Sequence, residues 1–102
     1  MELKYKKTQS SLTVYLYGEL DEYSAKSLKN VLDNLFEDNL NVKKVIFDLS
    51  GLSFMDSTGV GLLIGRYKKL NRFGIVALIT GANVSVEKVI EISGLYKIMP
   101  KI

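Results

Sequence analysis

Residues 45 to 70, VIFDLSGLSFMDSTGVGLLIGRYKKL, run from a short apolar stretch through a polar, glycine-bearing turn into a helical pattern. Val45-Ile46-Phe47 has the continuous apolar character of a strand covered on both faces. Past the turn, Asp56 or Ser57 can start a helix whose inward stripe is Val60, Leu63, Ile64, Tyr67 and Leu70, ending before Gly74. Ile75-Val76-Ala77-Leu78-Ile79 then repeats the buried-strand character. A strand, a helix and a second strand in this order form a crossover unit between parallel neighbours.

The flanking sequence extends that unit in both directions. Residues 2 to 7 and 11 to 17 read as two strands around the polar turn Thr8-Gln9-Ser10, the second alternating Leu12, Val14 and Leu16 against Thr13, Tyr15 and Tyr17. Gly18 is expected to break this opening hairpin. Asp21 can cap a helix over 22–38 that carries Ala25, Leu28, Leu32, Leu35 and Phe36 at three- and four-residue steps. A third helix is expected from Asn83–Ser85, with Val86, Val89 and Ile90 inward, stopping at Ser93-Gly94 before a short strand at Lys97 to Met99. The order predicts an α/β fold: one mixed, mainly parallel sheet with an N-terminal hairpin and helices as crossovers. Loops at the carboxyl ends of such strands gather along one edge, where ligands bind. Gly18 to Asp21, Ser50 to Ser57 and Thr80 to Asn83 are the segments expected there.

Composition narrows the chemistry. With 102 residues the chain fits one domain, since compact domains commonly run to about 100–150 residues. A hydrophobic fraction of 47% with 25% charged residues is that of a chain that folds. There is no Cys and no His, which excludes disulfides, thiolate chemistry, Cys/His zinc sites and a Ser-His-Asp triad. The net charge of +3 comes with no long basic run, so nucleic acid is not an expected direct partner. No stretch approaches the roughly 18 apolar residues of a membrane span, and Met1-Glu2-Leu3-Lys4 lacks the apolar segment of a signal peptide. A cytoplasmic protein is expected, with no membrane partner and no cofactor, and hydrolase readings lose most of their weight.

The segment Leu52-Ser53-Phe54-Met55-Asp56-Ser57-Thr58-Gly59-Val60-Gly61 leaves a strand and enters a helix. Asp, Ser and Thr there can be plain N-caps, each satisfying an orphan backbone N–H for about 1 kcal/mol. A nucleotide loop is disfavoured, because Gly59, Gly61 and Gly65 do not space as G-x-G-x-x-G and no Gly-Lys-Ser/Thr follows. Gly61 and Gly65 read instead as a small-residue stripe against the sheet. A third reading makes Ser57 a phosphorylation site, since a phosphoserine's added charge, about −1.5 to −2, is tolerated at the positive end of a helix. An aspartate-phosphorylated receiver domain fits poorly, because the chain opens with a hairpin and lacks that domain's paired strand-end acids.

Three ordered motifs carry a resemblance. Leu52 through Leu70, Gly18-Glu19-Leu20-Asp21 and Ser93-Gly94-Leu95-Tyr96-Lys97-Ile98 together resemble the anti-sigma factor antagonists of the STAS-domain family, nearest the sporulation branch, over almost the whole chain. The resemblance implies one STAS domain over 1–102, with the family's final C-terminal helix expected to be absent after Pro100-Lys101-Ile102. It implies that the unphosphorylated protein binds an anti-sigma factor that is also an ATP-dependent serine kinase, and so releases a sigma factor for sporulation transcription. Phosphorylation of Ser57 would end that binding and a PP2C-type phosphatase would restore it. A general stress-response pathway is the alternative setting for the same switch. The implied docking surface is Asp21, Asp56, Ser57, Thr58, Gly59 and Leu62, with Leu62 expected as an exposed apolar contact off the helix's buried stripe, on the side of Thr58, Arg66 and Lys69.

Overall fold

A computed structural model describes all 102 residues. Strands β1 (Glu2–Lys7) and β2 (Ser11–Leu20) form the expected hairpin, followed by α1 (Glu22–Glu37), β3 (Lys44–Met55), α2 (Ser57–Arg72), β4 (Val76–Thr80) and α3 (Val84–Ser93). The sheet order is β1-β2-β3-β4, antiparallel between the first two strands and parallel thereafter. Each helix begins where a side chain satisfies its first amides. Asp21 caps α1 in a box with Ser24, Asp56 caps α2, and Asn83 caps α3. Gly94, at φ 76°, ends α3 in the left-handed conformation that a Cβ would disfavour.

The two crossovers step in the same direction across the sheet. Right-handed connections therefore place α1 and α2 on one face. Leu12, Val14, Leu16, Val45, Phe47, Leu49, Ala77 and Ile79 point into that face and are buried. This corrects the expectation that β3 and β4 are covered on both sides. Ile46 and Leu78, paired with each other, are only half-buried on the opposite face, which Tyr15 and Tyr17 share, and Val76 is 53% exposed.

The sheet also extends further than the sequence pattern indicates. Gly18 does not break β2; at φ 108° it sits inside the strand, where the pairing with β3 shifts register. Between Tyr15 and Tyr17, and again between Gly18 and Glu19, β3 carries one residue more than β2. These bulges let β3 continue through Ser50 to Met55, reaching Leu20↔Met55 as the last pair.

No strand forms at Lys97–Met99. Leu95–Lys97 is a turn of 3-10 helix, and strand-like pairing begins later. Ile79 N–H donates to Pro100 O at 3.0 Å, Ile102 N–H donates to Ile79 O at 2.9 Å, and Lys101 bridges Ile79 in parallel. Proline lacks an N–H but can still supply the carbonyl used here.

Side chains fasten this last segment to α3. Lys101 Nζ and Tyr96 Oη both donate to Glu87 Oε1, at 2.6 and 3.0 Å. Burial, then the Glu87 hydrogen bond, pushes the Tyr96 phenol up to about 12 from its ordinary 10.0. The bonds from Lys101 and Tyr96 hold Glu87 below the usual carboxylate range, and the bond to Glu87 raises Lys101. Because the folded Tyr96 pKa lies above the unfolded one, its contribution is complete below pH 10.0 and is lost as pH rises through about 12. Lys101 acts with the same sign. Glu87 acts oppositely, its contribution being present above pH 4.5 and lost on acidification. Urea midpoints measured from about pH 8 to about pH 12 should therefore fall less steeply for Tyr96→Phe than for the parent. Parallel curves would show that the phenol adds nothing to the alkaline loss.

Candidate functional site

The pair Leu20↔Met55 ends the β2–β3 ladder, so Asp21 and Asp56 leave adjacent strands side by side. Neighbouring strands lie about 4.8 Å apart. Asp21 Oδ1 accepts from Tyr23 N–H and Ser24 N–H at 3.0 and 3.1 Å. Asp56 Oδ1 accepts from Gly59 N–H at 3.1 Å, while Asp56 N–H donates to Leu20 O at 3.3 Å. The capping role expected on residue type is thus present at both positions. It fixes two carboxylates at one edge of the sheet and sets the entry of α1 and α2.

Ser57 is the first residue of α2 and is exposed. The hydroxyls of Ser24 and Ser50 are engaged, donating to Glu19 O at 2.7 Å and Asp48 Oδ1 at 2.6 Å. That of Ser57 has no such bond and stands free at the helix N-terminus. Ser57 and Val60 of α2, with Val89, Ile92 and Ser93 of α3, line an open cleft without a charged residue. Ile92 is 88% exposed at its rim, and Phe54 is 46% exposed just before Asp56. Sequence reading missed the α3 residues because some 35 positions separate them from Ser57. The available signal was Ile92 itself, an apolar residue off the Val86, Val89, Ile90 stripe.

Two expected site residues are placed differently. Leu62 is not an exposed contact; it is 9% exposed because α1 packs along that side of α2. The same packing buries Arg66, whose Nε lies 3.1 Å from Asp33 Oδ1 on α1, and sets Lys69 against Asp33 and Glu37. Gly59 is also buried, and a Cβ there would stand 2.7 Å from Met55 Cγ and 3.0 Å from Leu20 O. It lets α2 start hard against the strand ends. Thr58 is exposed.

The expected carboxyl-end cluster is stepped. β4 stops at Thr80, level with Asp48, whereas β2 and β3 continue beyond it. Thr80 to Asn83 therefore lies beside Ser50 and Leu52, where Asn83 Nδ2 donates to Leu52 O at 2.9 Å. It is the later part of α3 that reaches Ser57. No group of three or more Asp or Glu side chains could hold a metal ion, and no helix is long and apolar enough to cross a membrane.

This mixed sheet with its crossover helices is that of an α/β domain of known kind: the STAS domain family matches residues 2–102, and the chain belongs to that family. Within it lie the anti-sigma factor antagonists. The chain is 35% identical over 89 residues to the anti-sigma F factor antagonist of Paenibacillus polymyxa, covering 87% of this chain and 75% of that one. It is also 35% identical over 82 residues to the anti-sigma-B factor antagonist of Staphylococcus aureus, covering 80% and 74%. Among solved structures it resembles the anti-sigma factor antagonist SpoIIAA in its unphosphorylated form, with a TM-score of 0.81, 27% identity and coverage of 99% and 88%. SpoIIAA of Bacillus has also been solved in a phosphorylated form, for which the TM-score is 0.72, identity 26% and coverage 99% and 91%.

Proposed function

We propose that this protein, when unphosphorylated, binds an anti-sigma factor that is also a serine kinase, frees the sigma factor, and is switched off by phosphorylation of Ser57. The observation that carries this reading is the exposed, unbonded Ser57 hydroxyl on the first turn of α2, between the Asp56 carboxylate and the uncharged cleft of α2 and α3. The phosphoryl group passes from the γ-position of ATP to Ser57 Oγ, leaving ADP, with the kinase supplying the catalytic groups. A PP2C-type phosphatase hydrolyses the ester and returns the hydroxyl. Asp21, Asp56, Ser57 and Thr58 form the docking edge, and Ile92 and Phe54 supply its exposed apolar surface.

The physical basis is an asymmetry between fold and interface. A phosphate at an α-helix N-terminus meets aligned N–H dipoles, so the fold accommodates it. A partner approaching the same edge must cover a dianion beside Asp56, over a cleft that brings no cation of its own. Sporulation is the favoured setting, on the Ser57 segment. The equal identity to a sigma-B antagonist supports the stress pathway as a second reading.

Mass spectrometry after incubation with ATP and the anti-sigma F factor of Paenibacillus polymyxa tests this directly. One phosphoryl group, located by peptide mapping on Ser57, is expected. Modification by the Staphylococcus aureus anti-sigma-B factor alone would move the protein to the stress pathway. No modification by either, with both active on their own antagonists, would overturn the switch.

A further inference from the structure

Thr58 and Leu62 of α2, with Glu22, Ala25, Lys26 and Lys29 of α1, line a second open groove at the docking edge. Ser57 borders the uncharged cleft toward α3. Its neighbour Thr58 borders a groove with an apolar floor, Ala25 and Leu62, and two lysines on one wall. Lys26 and Lys29 are exposed, and neither lies within 4.0 Å of a carboxylate. Lys69, farther along α2, is by contrast held by Asp33 and Glu37. The groove thus offers two uncommitted ammonium groups next to a small apolar floor.

We infer that this groove is a second contact for the anti-sigma partner and receives a segment that presents carboxylates to Lys26 and Lys29 and one apolar side chain to Ala25 and Leu62. The inference rests on the docking role proposed for the Ser57 edge, with which the groove is continuous through Thr58. Charge complementarity chooses the occupant. The two lysines outnumber the one carboxylate of the lining, Glu22, so anionic side chains match the groove, whereas a basic segment would face a net positive wall. Such complementarity acts mainly on the association rate and on its salt dependence. Phosphorylation at Ser57 need not disturb this contact, because its charge is added on the other side of the helix start. The two clefts would thus divide the work, one steering the partner's acidic segment into the complex and the other releasing the partner when the phosphate is added.

The test is stopped-flow and equilibrium binding of full-length K26E/K29E to the anti-sigma factor, sigma F or sigma-B type, that binds the parent. Lys68→Glu, an exposed charge reversal elsewhere on α2, is the control. The double variant should associate roughly tenfold or more slowly at low salt, with a flatter salt dependence, while dissociation and Lys68→Glu change little. Both variants should melt with the parent, because both substitutions lie on exposed helix surface. An unchanged association rate, alongside loss of binding in Ser57→Asp, would overturn the groove contact and leave the switch standing. Equal slowing by Lys68→Glu would reduce the effect to net charge and also overturn it. If neither anti-sigma factor binds the parent, the docking reading itself fails and the groove contact with it.

Discussion

Ser57→Asp should weaken binding to the anti-sigma kinase by about a hundredfold or more while leaving the domain as stable as the parent, or slightly more stable. The two effects have opposite signs because one charge meets two environments. Within the fold, a carboxylate on the first residue of α2 lies at the positive end of the helix and contributes about 0.3–1 kcal/mol. At the interface it joins Asp56 beneath a docked partner, where like charges cost several kcal/mol; about 3 kcal/mol corresponds to a factor of about 150 in affinity. Ser57→Ala removes only a hydroxyl that bonds to nothing within the chain, so it should bind within about threefold of the parent and accept no phosphate. Calorimetric titration and thermal melts on the three proteins separate these outcomes. Parental affinity in Ser57→Asp would show that charge at this position does not gate docking. A melt lowered by many degrees would recast Ser57 as structural.

The order of strands and helices was legible because it follows from local periodicity, and the general preference for right-handed crossovers then places the helices. The stripes of α1 and α2, the three N-caps and the Gly94 stop all come from residues within one or two turns of each other. What escaped the sequence depends on distant partners. Ser50 to Ser57 reads as a loop, yet as far as Met55 it is strand, because β2 extends beside it and two bulges absorb the mismatch. Leu62 and Arg66 look like the open side of an amphipathic helix until α1, held by Asp33, covers them. Gly59 resembles part of a binding loop, but its reason is the nearness of Met55 and Leu20. For the site, Ser57 and its two aspartates stood out as strand-end residues. The α3 wall did not, since nothing in one helix's pattern says which distant side chain it faces.

Phe47→Ala should be among the most destabilising single truncations in the domain, lowering stability by about 3–5 kcal/mol. Phe47 is 0% exposed, the fourth of the twelve residues of β3, and its ring meets Phe36 of α1 edge-on, with centroids 6.0 Å apart and planes at 86°. That geometry adds about 0.5–1.5 kcal/mol to the burial of either ring alone. A domain of this size has only about 5–15 kcal/mol in total, so the loss is a large fraction of it. At about 4–8 °C per kcal/mol, the melting temperature should fall by at least about 12 °C. Phe36→Ala should cost a similar amount, and the double variant less than the sum, because the ring pair can be lost only once. Nevertheless, Phe47 precedes Ser57 by most of the length of β3, and the caps that position Ser57 do not involve it. At a temperature where Phe47→Ala is still folded, the anti-sigma kinase should phosphorylate it at close to the parental rate. Loss of phosphorylation in a sample that circular dichroism shows to be folded would mean that the α1–β3 core sets the geometry of the Ser57 edge, a coupling absent from the hydrogen bonds around Asp56.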